Sequence, residues 1–267
     1  MRPVHLNSGR LKNIDIAIDR LYPAMARTVK TVDWDVLVET VRALPLYVAH
    51  KAYVREKILL NKPDVSVEEV VERLGATRGE AMVILWELRK TGQEVLEMLE
   101  KKMEDRPVSS FAAVGGTFST IHVGHMALLA TAYAKAEKVL VGVTSDLFAA
   151  KLGKNHPIPP VEKRIGMLRD FLGKMGWLDR TELAVIDDPY GPAVQDPTLD
   201  AVVTSPATAF RAAEINAKRV ERNLGPLEIF VCPLVVADDG LPVSTTRIMA
   251  GEITFDGKVV RKGLERS

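Results

Sequence analysis

Cysteine is nearly missing from this chain of 267 residues: Cys232 stands alone, which excludes an intramolecular disulfide and cannot by itself make a zinc site. No stretch reaches the ~18 apolar residues that a membrane span needs, and Met1-Arg-Pro-Val-His-Leu-Asn carries no apolar signal core. The expected setting is therefore soluble, reducing and cytoplasmic, with no membrane partner. An excess of either charge is lacking too. With 36 basic and 35 acidic side chains the net charge is +1, which removes a global electrostatic reason to expect nucleic acid and points to small ligands. Internal repeats and low-complexity tracts are also absent. What is present is ordinary globular composition, 47% apolar and 27% charged, in a chain long enough for two domains.

The texture changes near Arg106-Pro107-Val108-Ser109-Ser110, and the expected domains are 1–107 and 108–267. Before the junction glycine is sparse and the spacing is helical. Trp34, Leu37, Val38, Val41 and Leu44 follow the i, i+3, i+4, i+7 rhythm, and a second helix is expected from 46 to 60, stopped by Asn61-Lys62-Pro63. Ser66 with Glu69 and Thr77 with Glu80 read as capping boxes, with Gly75 and Gly92 at C′ positions. After residue 110 the pattern becomes strand, turn, helix. Short apolar runs at 111–114, 138–143, 182–186, 201–204 and 227–231 alternate with helix-like stretches at 125–136, 161–173 and 206–223. The fold class is thus α/β, a doubly wound parallel sheet of Rossmann-like type preceded by an all-α domain, with ligands expected beyond the carboxyl ends of the strands.

Gly115-Gly-Thr-Phe-Ser-Thr-Ile-His122-Val-Gly-His125 lies where that rule puts a site, between the first strand and the next helix. Gly115 and Gly116 let the backbone approach a ligand, and a helix start offers N–H groups and a positive dipole end to phosphate. His122 and His125 place two imidazole donors where charge builds during transfer. The plainer reading is a tight turn with capping histidines. The pair is also half of a metal site, but no third ligand stands nearby, so no protein-bound metal is expected.

The Gly-Gly-Thr-Phe-x-x-x-His-x-Gly-His run resembles the signature of the HxGH nucleotidyltransferases. Val141-Gly-Val-Thr-Ser-Asp146, Ile158-Pro-Pro-Val-Glu-Lys-Arg164, Asp188-Pro-Tyr-Gly-Pro192, Asn216-x-x-Arg219 and Val243-Ser-Thr-Thr-Arg-Ile248 followed by Gly251-Glu252 extend the resemblance to the archaeal and eukaryotic type of phosphopantetheine adenylyltransferase, over residues 111–263. The resemblance implies adenylyl transfer from ATP to 4′-phosphopantetheine, giving dephospho-coenzyme A and pyrophosphate, with Mg2+ carried in on ATP. It implies that His125 and the backbone around Thr117 and Phe118 hold the α-phosphate with help from His122. Two departures stand out: the family commonly has Asp where this chain has Ser119, and Ser where it has Thr245. Ser119 loses a charge, so reduced activity, or a binding protein without catalysis, belongs among the readings.

Other residues enter with alternatives open. Ser244, Thr245, Thr246 and Arg247 are placed to meet ATP phosphates, Arg247 as the cation, or to form a plain helix cap with a surface arginine. Lys151 and Lys154, in the loop after Asp146, are candidate contacts for the acceptor phosphate or solvated loop lysines. By the resemblance Arg164 joins them, or else it covers apolar surface from a helix face. Asn216 and Arg219, three apart on one helical face, are spaced to act on one ligand or to face solvent. Asp187-Asp188 reads as a turn. In the amino-terminal part, 67–86 fits a helix-turn-helix pattern, so a DNA-binding regulator with a nucleotide-sensing domain competes with a helical oligomerisation or docking module, through which a homo-oligomer would form. With 18 basic and 17 acidic residues in positions 1–110, no basic footprint supports the first. A third reading keeps the chemistry and changes the acceptor to flavin or nicotinamide mononucleotide.

Overall fold

The computed structural model describes residues 34–59, 61–100 and 107–260. The expected helix end at Leu60 and residues 101–106 of the expected junction fall outside them. The chain divides into two compact units, Met1–Val54 with Val65–Leu85 and Arg55–Asp64 with Trp86–Ser267.

In the first unit, helix α1 (Trp34–Arg42) buries Trp34, Val38 and Val41, as their spacing predicts. Helix α2 (Tyr47–Tyr53) runs into a single π-helical turn at Val54–Ile58, so the stretch expected as one regular helix changes pitch part-way. Helix α3 (Val67–Leu74) begins with the full Ser66/Glu69 capping box and ends on Gly75 in the left-handed region, φ 63°. Helix α4 (Arg78–Leu88) is capped by Thr77 Oγ1, which accepts the Glu80 N–H at 3.1 Å, while the Glu80 carboxylate meets His50 Nδ1 at 2.7 Å. Residues 80–85 of α4 are all buried. Arg78, at the start of α4, is exposed.

The second unit holds two sheets. Strands β2 (Ser109–Gly116), β3 (Ala136–Thr144), β4 (Thr181–Ile186), β5 (Ala201–Thr204) and β6 (Glu228–Val231) form a parallel sheet in the order β4-β3-β2-β5-β6. The doubly wound sheet is as expected, and the order reverses direction at β2, which defines the switch point where such sheets bind ligands. Helices α6 (Val123–Lys135) and α8 (Val161–Lys174) cover one face through Leu129, Leu168 and Leu172, each fully buried against Val114, Val139, Val141 and Val203. Truncating one such leucine to alanine costs about 2–5 kcal/mol. Helix α9 (Ala209–Glu221) covers the other face through Ala212 and Ile215, over Ala113, Leu140 and Val202.

Sequence periodicity does not announce the second sheet. Strand β1 (Arg89–Thr91) pairs in parallel with β7 (Leu234–Val236), register Lys90 to Val235. Gly92, expected to close a helix, instead opens helix α5 (Gly92–Glu100), and the reason for a glycine is close approach: a Cβ there would stand 1.7 Å from the Asp256 carbonyl oxygen. Val95 of α5, Val123 and Ala127 of α6, Val235 of β7 and Ile253 form one further core cluster.

Candidate active site

The site is built at the carboxyl end of β2. Gly116 ends that strand, and the chain turns through Phe118, a buried residue held at φ 51°, a conformation that L side chains rarely adopt. Any Cβ at Gly116 would stand 2.9 Å from the Phe118 ring, so the glycine is what lets that ring fold back under the loop. At Gly115 an added Cβ would make only ordinary contacts, at 3.8 Å.

His122 is the N-cap of α6, and its Nδ1 accepts the Gly124 N–H at 3.1 Å, which leaves the proton of the neutral ring on Nε2. Gly124 is needed for this, because a Cβ would lie 3.0 Å from the His122 ring. The His125 ring stacks on His122 with centroids 3.9 Å apart and touches Phe118 at 5.1 Å. Burial and then the Lys154 charge push His122 down to about 4. Burial, then His122, then Lys154 hold His125 well below the usual histidine value, against the opposing Thr120 carbonyl. Both shifts favour the neutral ring. Of the leading N–H groups of α6, Val123's goes to the Phe255 carbonyl at 3.1 Å and Gly124's to His122. His125 Nδ1 and Ser119 Oγ are buried without a partner.

Arg164, on the first turn of α8, is fully buried, and its guanidinium is engaged within the protein. Its guanidinium donates to the Pro159 carbonyl at 2.7 Å, the Thr117 carbonyl at 2.9 Å, Thr144 Oγ1 at 3.2 Å and Asp146 Oδ1 at 2.8 Å. Arg164 thus ties the loop at Thr117 to Thr144 and Asp146.

The two loop lysines separate. Lys151 is an exposed residue on helix α7 (Asp146–Lys151), a segment read from the sequence as loop. Lys154 lines a cavity of about 400 Å3 with Asp146, His156 and Pro160, and its charge is near enough to depress both histidines. Burial and then Arg164 lower its own pKa. His156, which sequence reasoning passed over, is a buried member of that wall; a histidine in a loop gives no periodic signal.

Ser244 caps helix α10 (Thr245–Met249) by accepting the Arg247 N–H at 3.3 Å; Thr245 is buried and Thr246 exposed. The Val243 carbonyl comes within 3.7 Å of a Cβ built on Gly124, so this motif abuts the histidine loop. The Arg247 side chain is engaged by Asp239, by Glu252 at 3.0 Å and by the Pro242 carbonyl at 3.1 Å. Burial lowers its pKa, but the hydrogen bonds and charges of Asp239 and Glu252 outweigh that and raise it. Asp188 forms the expected turn, Oδ1 accepting the Tyr190 and Gly191 N–H groups at 2.7 Å.

Asn216 and Arg219 do act together, but at the opposite end of the sheet. Asn216 brackets Leu227, donating to its carbonyl at 2.9 Å and accepting its N–H at 2.8 Å. Arg219 is buried and donates to the carbonyls of Gly225, Ala193, Asp196 and Leu199. These contacts lie before β5 and β6, at their amino ends, because the last turns of a crossover helix return to the start of the next strand. Neither residue stands in the site. Among the described residues no group of three or more His, Cys, Asp or Glu side chains is gathered as a metal site, and no helix is long and apolar enough to cross a membrane.

Residues 113–251 match the family model described as cytidylyltransferase-like. The chain is similar to the phosphopantetheine adenylyltransferase of Methanopyrus kandleri, 39% identical over 149 residues that make up 55% of this chain and 94% of that one. It is similar to that of Methanothermobacter thermautotrophicus at 41% over 153 residues, 57% of this chain and 91% of that one. To that of Pyrobaculum aerophilum it is 42% identical over 135 residues, 51% and 86% respectively.

Proposed function

The chain belongs to the cytidylyltransferase-like family, and from that premise we propose that it transfers the adenylyl group of ATP to 4′-phosphopantetheine, forming dephospho-coenzyme A and pyrophosphate. The observation that carries the reading is the stacked pair of neutral imidazoles at the start of α6, with Lys154 beside it on the cavity wall.

Adenylyl transfer asks for positioning and charge stabilisation and no covalent step on the protein. The acceptor phosphate, already anionic at neutral pH with a second pKa near ~6, needs no general base. It attacks the α-phosphorus; the new P–O bond forms as the bond to pyrophosphate breaks, and Mg2+ brought in by ATP leaves with the pyrophosphate. His125 and the backbone around Thr117 and Phe118, with His122, receive the charge on the α-phosphate oxygens. Ser244, Thr245 and Arg247 receive the pyrophosphate, Arg247 exchanging its carboxylate partners for it. Lys154 holds the acceptor. We assign the chemistry to the cytoplasm and to residues 108–267, with 1–107 an oligomerisation or docking module.

The test is to incubate the purified protein with Mg2+, 4′-phosphopantetheine and ATP or CTP in turn, following pyrophosphate and the mass of the acceptor. Dephospho-coenzyme A from ATP, lost in His125→Ala, supports the proposal. Turnover only with flavin or nicotinamide mononucleotide moves the acceptor, and no turnover with any of them overturns it.

A further inference from the structure

His156 is buried, lines the same cavity as Lys154 and Asp146, and belongs to none of the roles given so far. Its Nδ1 lies 3.1 Å from the Pro157 carbonyl, which can only accept, so in the neutral ring the proton sits on Nδ1 and Nε2 is a bare lone pair. That Nε2 is shielded from solvent and has no partner. An unpaired buried polar atom destabilises the fold, a cost that a bound ligand relieves.

The charges around the cavity say what kind of ligand does so. Asp146, at the start of α7, is neutralised by Arg164 from α8 at 2.8 Å, which leaves Lys154 as the cation on the wall. A phosphate monoester dianion brought against Lys154 leaves one negative charge uncompensated. Histidine is the side chain that changes charge near neutrality. We infer that His156 is a second contact for the acceptor phosphate, its Nε2 taking a proton from solvent as the phosphate binds and donating it in a charge-assisted hydrogen bond. The inference rests on the acceptor reading above for the identity of the ligand, but its chemistry requires only a phosphate monoester.

Calorimetric titration of the whole protein with 4′-phosphopantetheine, at about pH 7.5 where a phosphate with second pKa near ~6 is mostly dianionic, tests it in two buffers of different ionisation enthalpy. The expected result is net proton uptake by the unaltered protein. In His156→Asn that uptake is lost and binding weakens roughly tenfold to a hundredfold, as for a hydrogen bond to a charged group. His122 and His125 are present in both proteins, so the difference isolates His156. Equal proton uptake and affinity in the two proteins overturn the inference. Ring-nitrogen NMR of the unaltered protein gives an answer without substitution: the His156 Nε2 resonance moves from the bare to the protonated range on saturation, and a resonance that stays in the bare range overturns it. Parallel titrations with flavin mononucleotide and inorganic phosphate separate the two proposals. Uptake that depends on His156 with these, and no binding of 4′-phosphopantetheine, sinks the acceptor reading alone; no binding of any of the three sinks both.

Discussion

The two ends of the five-stranded sheet treat polar groups in opposite ways. At the amino ends of β2, β5 and β6, Arg219 reaches four carbonyls, Asn216 uses both halves of its amide on Leu227, and Asp200 accepts from Ser109, Ser110 and Phe111. At the carboxyl ends Ser119 Oγ, His125 Nδ1 and His156 Nε2 are buried without partners, and Phe118 is held at positive φ. One end spends its polar groups on holding the chain together, while the other keeps them unpaired under backbone strain. Unpaired buried groups and sparsely populated backbone persist where a ligand completes them, so the same sheet has a stability end and a chemistry end.

The largest expected effect lies at the chemistry end. His125→Ala removes one donor to the developing charge, so kcat for adenylyl transfer falls about a hundredfold to a thousandfold while the melting temperature stays within a few degrees. A large drop in melting temperature would make His125 a stability residue and erase the contrast. Arg219→Met is the mirror experiment. It strands the carbonyls of Ala193 and Leu199 in the interior and should cost about 2–6 kcal/mol in denaturant unfolding, at ~1–3 kcal/mol per buried unpaired group, with kcat of the folded protein unchanged.

Arg164 sharpens the comparison because it belongs to both descriptions: buried and fully engaged like Arg219, yet bonded at Thr117 to the loop between β2 and α6. Arg164→Lys keeps the charge and loses the fork that spans Thr117, Thr144 and Asp146. The expected outcome is a loss of about 1–2 kcal/mol in stability with roughly a tenfold fall in kcat, while KM for ATP moves less. Intact kcat with lowered stability would mean that the working geometry of the loop at Thr117 does not depend on this arginine.

The same division explains what the sequence made legible. Apolar runs and glycine-rich turns announce themselves locally, so the parallel sheet, the Ser66 capping box and the loop before α6 were all readable. Side chains such as Arg164, Asn216 and Arg219 carry no mark of whether they end on a ligand or on a carbonyl. For Asn216 and Arg219 one clue was available: they sit late in the helix that precedes β6 and so near the wrong end of the sheet. Gly92 could not be read, because its reason is a carbonyl 164 residues away in the chain, at Asp256, and the three-residue strand β1 is too short for a period to show. His156 left no signal, since a buried loop histidine has neither repeat nor motif.

The smallest effect separates the two ends by pH. His122 titrates at about 4 in the folded protein against 6.5 unfolded, so below pH 6.5 the unfolded chain binds a proton that the folded one refuses. Stability therefore declines through this group as pH falls from 6.5 towards 4 and is indifferent to it above 6.5. Asp200 works in a lower window. Its partial burial is outweighed by the Ser109 hydroxyl and the Ser110 and Phe111 N–H groups, which lower its pKa, so its stabilisation is complete above 3.8 and lost only below that. His122→Asn keeps an N-cap acceptor for α6 and removes the titration. The difference in melting temperature between this variant and the unaltered protein should be level above pH 6.5 and grow in favour of the variant from 6.5 down to 4. A difference that opens only below pH 4 would mean that the ring is not the neutral donor its stacking on His125 describes.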